Sequence, residues 1–235
     1  LTLIIERFPA TFELATCALL IALSFGLPLG IYAGLHPDKI GTKIITGSSI
    51  LGISIPTFWL GLMLIIVFSV FLGLLPVSGR GDTAIFFGIE SSLFTLDGLQ
   101  HLVLPATSLA FFKIAMVIRL ARSGTADIMS LDFIKFAKAR GLTPFRIVHA
   151  HLLPNILIPI ITILAIEFGT LIAFATVTET IFAWPGLGKL LIDAIVNLDR
   201  PIVVAYLLFV VSLFIILNLI VDILYAVLDP RIRYK

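Results

Sequence analysis

The sequence predicts an all-α, polytopic integral membrane protein with five transmembrane helices in this chain. Three observations predict it. Of the 235 residues, 60% are hydrophobic and 13% are charged, a balance that excludes a disordered chain and does not suit a soluble domain of this size. Several apolar stretches approach or exceed the roughly 18 to 20 residues that carry a helix across hydrocarbon. None of them shows the strict polar/apolar alternation of a lipid-facing barrel strand.

The spans are expected at residues 9–35, 44–72, 102–120, 152–177 and 202–228. The first repeats Gly26, Gly30 and Gly34 at four-residue intervals, which lets a second helix approach its backbone. It also holds the single cysteine, Cys17, so no intrachain disulfide is possible; a small packing residue is the reading. Pro56 in the second span, Pro105 in the third, Pro154 and Pro159 in the fourth and Pro28 in the first remove backbone hydrogen bonds, so kinks or span boundaries are expected there. In the last span Asn218 and Asp222 lie four apart and are expected to serve helix contacts.

The connections alternate in charge. Residues 36–43 carry Lys39 and Lys43 against Asp38, and residues 119–151 carry Arg119, Arg122, Lys135, Lys138, Arg140 and Arg146 against Asp127 and Asp132. Residues 73–101 carry Arg80 against Asp82, Glu90 and Asp97, and residues 179–201 carry Lys189 and Arg200 against Glu179, Asp193 and Asp199. The positive-inside rule therefore places the two basic loops and the tail "RIRYK" in the cytoplasm. Five spans with a cytoplasmic C-terminus leave Leu1 outside. Because the chain opens without a start methionine or a cleavable signal pattern, a sixth span upstream with a cytoplasmic N-terminus is expected in the full-length protein.

The segment 132–153 interrupts this oily chain with a basic, aromatic stretch, "FIKFAKARGLTPFRIVHAHLLPN" at 133–155. Asp132 is placed to cap a short helix with Phe133, Phe136 and Ala137 on one face and Arg140 at its C-terminal end. Gly141 supplies the left-handed residue that stops it. After Leu142, Thr143 and Pro144 read as the N-cap and first position of a second helix, which offers Phe145, Val148 and Leu152. Three roles compete for such an element. It can enforce topology against anionic lipid, bind DNA as a helix-turn-helix, or dock a partner protein. Tethering between two spans places it badly for a DNA groove, and exposed aromatics with little local chain to bury them favour a protein partner.

The same residues resemble the cytoplasmic signature of binding-protein-dependent ABC importer permeases, EAA, three residues, Gly, nine residues, Ile-x-Leu-Pro. Lys135, Phe136 and Ala137 occupy the EAA positions, Gly141 the glycine, and His151, Leu152, Leu153 and Pro154 the end of the motif. Lys for Glu and Phe for Ala depart from the general pattern, but "FAKARGL" looks like the variant of the dipeptide/oligopeptide (peptide/nickel) permease branch. "PTFWLGLMLIIVFSVFLGLLPVSG" (56–79), "HLVLPATSLA" (101–110), "ETIFAWPGLGKLLIDAI" (179–195) and the closing "LDPRIRYK" are similar to that branch in the same order.

The resemblance implies a single transmembrane permease domain over 1–235 with a MetI-like fold. In it, Lys135, Phe136, Ala137, Arg140, Gly141, Leu142, Thr143, Phe145, His151 and Pro154 belong to a coupling helix that docks a cytoplasmic ABC ATPase. It further implies a second homologous permease subunit, an extracytoplasmic substrate-binding protein, location in the bacterial inner membrane, and import of di- or oligopeptides. Relatives with these motifs also handle glutathione or nickel complexes, so cargo identity stays open.

No phosphate loop is present. At the nearest lookalike, Gly188-Lys189, Ala183 stands where the first glycine is required and Leu190 where the hydroxyl should be. The chain is therefore expected to bind no cofactor and to be no enzyme, with ATP and Mg belonging to partner subunits. Nucleic acid is not expected as a partner; membrane lipid is. Glu167, near the middle of the fourth span, is expected either to face the pathway or to make an interhelical hydrogen bond. Glu13 and Lys113 lie nearer span ends and are expected to snorkel to the interface. His36, His101, His149 and His151 are scattered without ligand spacing, so no metal site is expected. "WPGLG" at 184–188 reads as an interfacial anchor or as an outer surface that meets the binding protein or closes a gate. A secondary transporter or a non-transporting scaffold subunit remains the alternative, the former resting on Glu167 alone.

Overall fold

The computed structural model describes residues 2–86 and 88–228. Among them four helices are long and apolar enough to cross a membrane, and a bent pair that is apolar enough only when taken together brings the number to five if it counts as one crossing. These are α1 (Thr2–Leu35), α2 (Ile40–Ser54) with α3 (Thr57–Leu64), α4 (Leu96–Ser130), the run from α6 (Pro144–Ile147) into α7 (Leu153–Phe174), and α10 (Arg200–Leu228). The expected spans all fall on these elements, with two differences. The third extends ten residues beyond its expected C-terminal end, carrying Arg122 and Asp127 on helix. The second is not one rod but bends by 104° between α2 and α3. Pro56 is the cause: it and Ile55 are extended, so the helix restarts with Pro56 as N-cap. By contrast Pro28, Pro105 and Pro159 lie inside continuous helices. Two π-helical turns, Ile65–Phe71 and Val148–Leu152, interrupt the ladders after α3 and after α6.

At the core α1 and α4 run parallel. A Cβ at Gly26 would lie 2.7 Å from Val117 Cβ, at Gly30 2.6 Å from Ala121 Cβ, and at Gly34 2.5 Å from Thr125 Cβ. Three glycines on one helix thus face Val117, Ala121 and Thr125, themselves spaced by four, and only those α4 side chains stand between the two backbones. Two apolar clusters follow this seam, one around Leu14, Ala18, Leu109 and Trp184, the other around Ala22, Ala121, Leu152 and Ile160. Packing against α7, the helix Leu187–Val196 and α1 leaves α10 largely at the surface, as suits a helix whose other face meets lipid. The side chain of Asp222 and the tail 231–235 lie outside the described residues.

Toward the N-terminal end of α4 the chain forms a two-stranded hairpin, β1 (Ala84–Phe86) and β2 (Ile89–Ser91), and a 3₁₀ turn, Ser92–Phe94. Strands of three residues leave no periodicity to detect, and the sequence predicts none here. The Thr95 hydroxyl then caps α4, accepting from the Gly98 amide at 3.0 Å. After α7 come α8 (Thr176–Ile181) and α9 (Leu187–Val196), joined by the WPGLG turn.

Candidate functional site

The segment 132–153 folds as a helix, a tight turn and a second helix, standing off the end of α4. Its first helix, α5 (Asp132–Ala139), closes as a Schellman motif. The Leu142 amide donates to the Ala137 carbonyl (3.2 Å), the Gly141 amide donates to the Lys138 carbonyl (3.0 Å), and Gly141 has φ +76°. Thr143 Oγ1 accepts from the Arg146 amide at 3.4 Å and Pro144 opens α6, as expected. Asp132 does not cap α5: Leu131 occupies that position without a side-chain bond, and the Asp132 carboxylate instead takes Lys135 Nζ at 2.8 Å.

The apolar residues divide between two faces. Ile134, Ala137 and Ile147 form a small core, supported by Leu142 and by Ile128 and Met129 of α4. Phe133, Phe136 and Phe145 point away and are 44%, 60% and 72% exposed. The Arg140 guanidinium lies 4.7 Å above the Phe136 ring, and Phe145 stacks on His149 with centroids 3.9 Å apart. Of the predicted docking residues, Lys135, Phe136, Arg140, Gly141, Thr143 and Phe145 share the outer surface. Ala137 and Leu142 support it from within, while His151 and Pro154 lie further along the exit into α7. The result is a preformed basic and aromatic knob whose internal core fixes its shape before any partner arrives.

Glu167 is paired within the chain. Its Oε2 accepts from Lys113 Nζ and, at 3.0 Å, from Thr170 Oγ1, so it makes the interhelical bond. Lys113 therefore does not snorkel; it is buried between α4 and α7. Glu13 does not snorkel either. Its Oε2 accepts from Arg80 at 2.5 Å, and its Oε1 accepts from Ser92 Oγ (2.6 Å), the Ser92 amide (2.8 Å) and the Leu93 amide (3.0 Å). This one carboxylate ties the loop after α3 and the 3₁₀ turn to α1. Sequence depth alone pointed to snorkelling because the partners are 67 and 79 residues away.

At the same end the WPGLG turn is a packed cap. Trp184 is fully buried and its indole N–H donates to the Ala10 carbonyl at 2.9 Å, so it is neither an interfacial anchor nor an exposed docking side chain. The Glu179 carboxylate sits beneath the turn, accepting from Thr11 Oγ1 (2.6 Å) and from the Lys189 amide (3.0 Å). A side chain at Gly186 would collide with that carboxylate, and one at Gly188 with Thr176. Burial pushes the Glu179 carboxyl above the usual glutamate range, against the hydrogen bonds that favour its charged form. A raised folded value means the folded protein holds this proton more tightly than the unfolded chain. The contribution to stability is thus present below the ordinary glutamate pKa and is lost as pH rises through the folded value. Thermal unfolding of purified protein across that window is expected to show a downward slope with pH, and Glu179→Gln is expected to flatten it.

Apolar crossings, a capped end and an exposed basic knob at the other end define a multi-pass membrane protein with a surface built for a partner. Comparison with known proteins agrees. Residues 26–234 match the model of the family described as binding-protein-dependent transport system inner membrane component. The dipeptide transport system permease protein DppB of Escherichia coli K12 is 39% identical over 98% of this chain and 73% of its own length. The di/tripeptide permease protein DppB of Pseudomonas aeruginosa is 43% identical over 97% and 71%, and the oligopeptide permease protein AppB of Bacillus subtilis 38% over 99% and 72%. An inward-facing structure of the MetNI methionine ABC transporter superposes with a TM-score of 0.73 at 17% identity, covering 97% of both chains, and so shares the fold. The chain belongs to the family of binding-protein-dependent transport system inner membrane components. It is the membrane-embedded translocation subunit of an ABC importer, a multi-pass inner-membrane protein.

Proposed function

We propose that this permease forms part of the pathway for di- or oligopeptides, delivered by an extracytoplasmic binding protein and driven by cytoplasmic ATPases. A second homologous permease supplies the other half of the pathway. The basic loops, the knob 132–153 and the C-terminal tail face the cytoplasm, as the distribution of Lys and Arg supports. ATP and Mg belong to the ATPases, and this chain is not an enzyme. The ATPases close on ATP because the closed dimer binds it better, and that difference in affinity biases the permeases from inward- to outward-facing.

The observation that carries the reading is the knob itself: three exposed aromatics and four exposed cations, Lys135, Lys138, Arg140 and Arg146, on a turn with its own core. Aromatic and Arg anchors of this kind suit a protein interface. The peptide cargo is supported by the names of the relatives. Cysteines at Phe136 and Phe145 are expected to crosslink to the ATPases in native membranes, and the loaded binding protein to stimulate hydrolysis. Absence of any ATPase crosslink, or labelling of these positions from the outer face of intact cells, overturns the reading.

A further inference from the structure

Lys113 and Glu167 place two opposite charges deep within the apolar parts of α4 and α7. Lys113 is the central residue of the 35-residue α4. Charge at such depth is costly and needs a partner or water. A pair serving packing alone would be enclosed, yet the Glu167 side chain keeps 24% of its surface and that of Lys113 10%. Both hydrogen bonds to the carboxylate use Oε2; Oε1 accepts none from any described residue. An open carboxylate oxygen is not stable against hydrocarbon, so it faces water or another polar group.

The adjoining surface has the same character. At 100° per residue Asp127 falls on the side of α4 that bears Lys113, with Ser123 at its border, and both are exposed. They descend to a crevice of about 330 Å³ between α4 and α7, lined by Ser123, Asp127 and Asn155 among apolar residues. Polar side chains thus lie on the knob side of the ion pair, with Met116 and Leu120 between.

We propose that the Lys113–Glu167 pair is a cargo-binding site midway along the translocation pathway, whose ligand is a zwitterionic peptide. Glu167 receives the protonated α-amino group and Lys113 the α-carboxylate. The site rests on the peptide-import reading above and adds to it the residues that hold the cargo in transit. Binding exchanges one ion pair for two of the same kind, so neither protein charge is left bare when cargo arrives or leaves. Affinity gained on entry is offset by the intrachain pair that must open, and the cargo is held weakly enough to pass.

The test uses the complete importer in proteoliposomes, with a radiolabelled dipeptide bearing free termini. Glu167→Gln is expected to lower uptake about tenfold, the cost of one charge-assisted hydrogen bond, while ATPase stimulation by the loaded binding protein is retained. Glu167→Cys in a Cys17→Ser background is expected to react with a charged, membrane-impermeant thiol reagent and to be protected by millimolar dipeptide. Unchanged uptake in Glu167→Gln, or a Glu167→Cys that is unreactive because lipid or the second permease covers it, overturns the site alone. Absence of dipeptide uptake by the wild-type importer overturns the peptide reading itself.

Discussion

Replacing Gly141 with valine is expected to abolish ATP-driven uptake while the permease still inserts in the membrane. The residue sits at φ +76°, and a Cβ there would meet nothing within 4 Å, so any effect comes from backbone conformation rather than from a clash. A β-branched residue in the left-handed region costs about 1–2 kcal/mol, and losing the two hydrogen bonds that close α5 costs about 1 kcal/mol each. Together these remove about 3 kcal/mol, or roughly a hundredfold in the population of turns able to dock. Asparagine, which tolerates the left-handed region, is expected to retain most activity. The measurement is uptake in vesicles beside permease abundance in the membrane. Valine at wild-type uptake would separate the turn from coupling.

Gly30→Leu is expected to have the largest effect on the fold. Its Cβ would lie 2.6 Å from Ala121 Cβ and 2.7 Å from the Ile118 carbonyl oxygen, and a carbonyl in a helix cannot move aside. Relief requires α1 and α4 to separate, which also opens the contacts at Gly26 and Gly34. Overpacking at a single site costs about 1–3 kcal/mol; loss of a whole seam takes the cost to the upper end or beyond. Thermal unfolding in detergent is expected to shift to much lower temperature, with little folded protein recovered from membranes. Ala121→Gly is expected to restore part of the loss, since it relieves the side-chain contact but not the carbonyl one.

Much of this architecture is legible in the sequence because its cause is local. Gly26, Gly30 and Gly34 announce a close helix crossing by their spacing, and Gly141, Thr143 and Pro144 specify a turn by backbone chemistry that depends on no distant residue. What fails is whatever depends on a partner far along the chain. Their positions in the spans send Glu13 and Lys113 to the interface, whereas the structure pairs them with Arg80 and Glu167, 67 and 54 residues away. The signal for the second pair was present, since opposite charges in the interiors of two spans have to find each other. No comparable signal marks Glu179 and Thr11, because a threonine in an apolar helix is ordinarily unremarkable. Asp132 was misassigned for a different reason: a neighbouring lysine one turn on competes for the carboxylate that the cap would use.

The glycine seam also has a mechanical meaning. The inner core of the knob is seated on Ile128 and Met129 of α4, and α4 is in backbone contact with α1 along three helical turns. At its far end α1 carries Ala10 and Thr11 under the tryptophan turn and Glu13 under the hairpin. A displacement of the knob would therefore be carried along two closely packed helices to the footing of the cap at the opposite face.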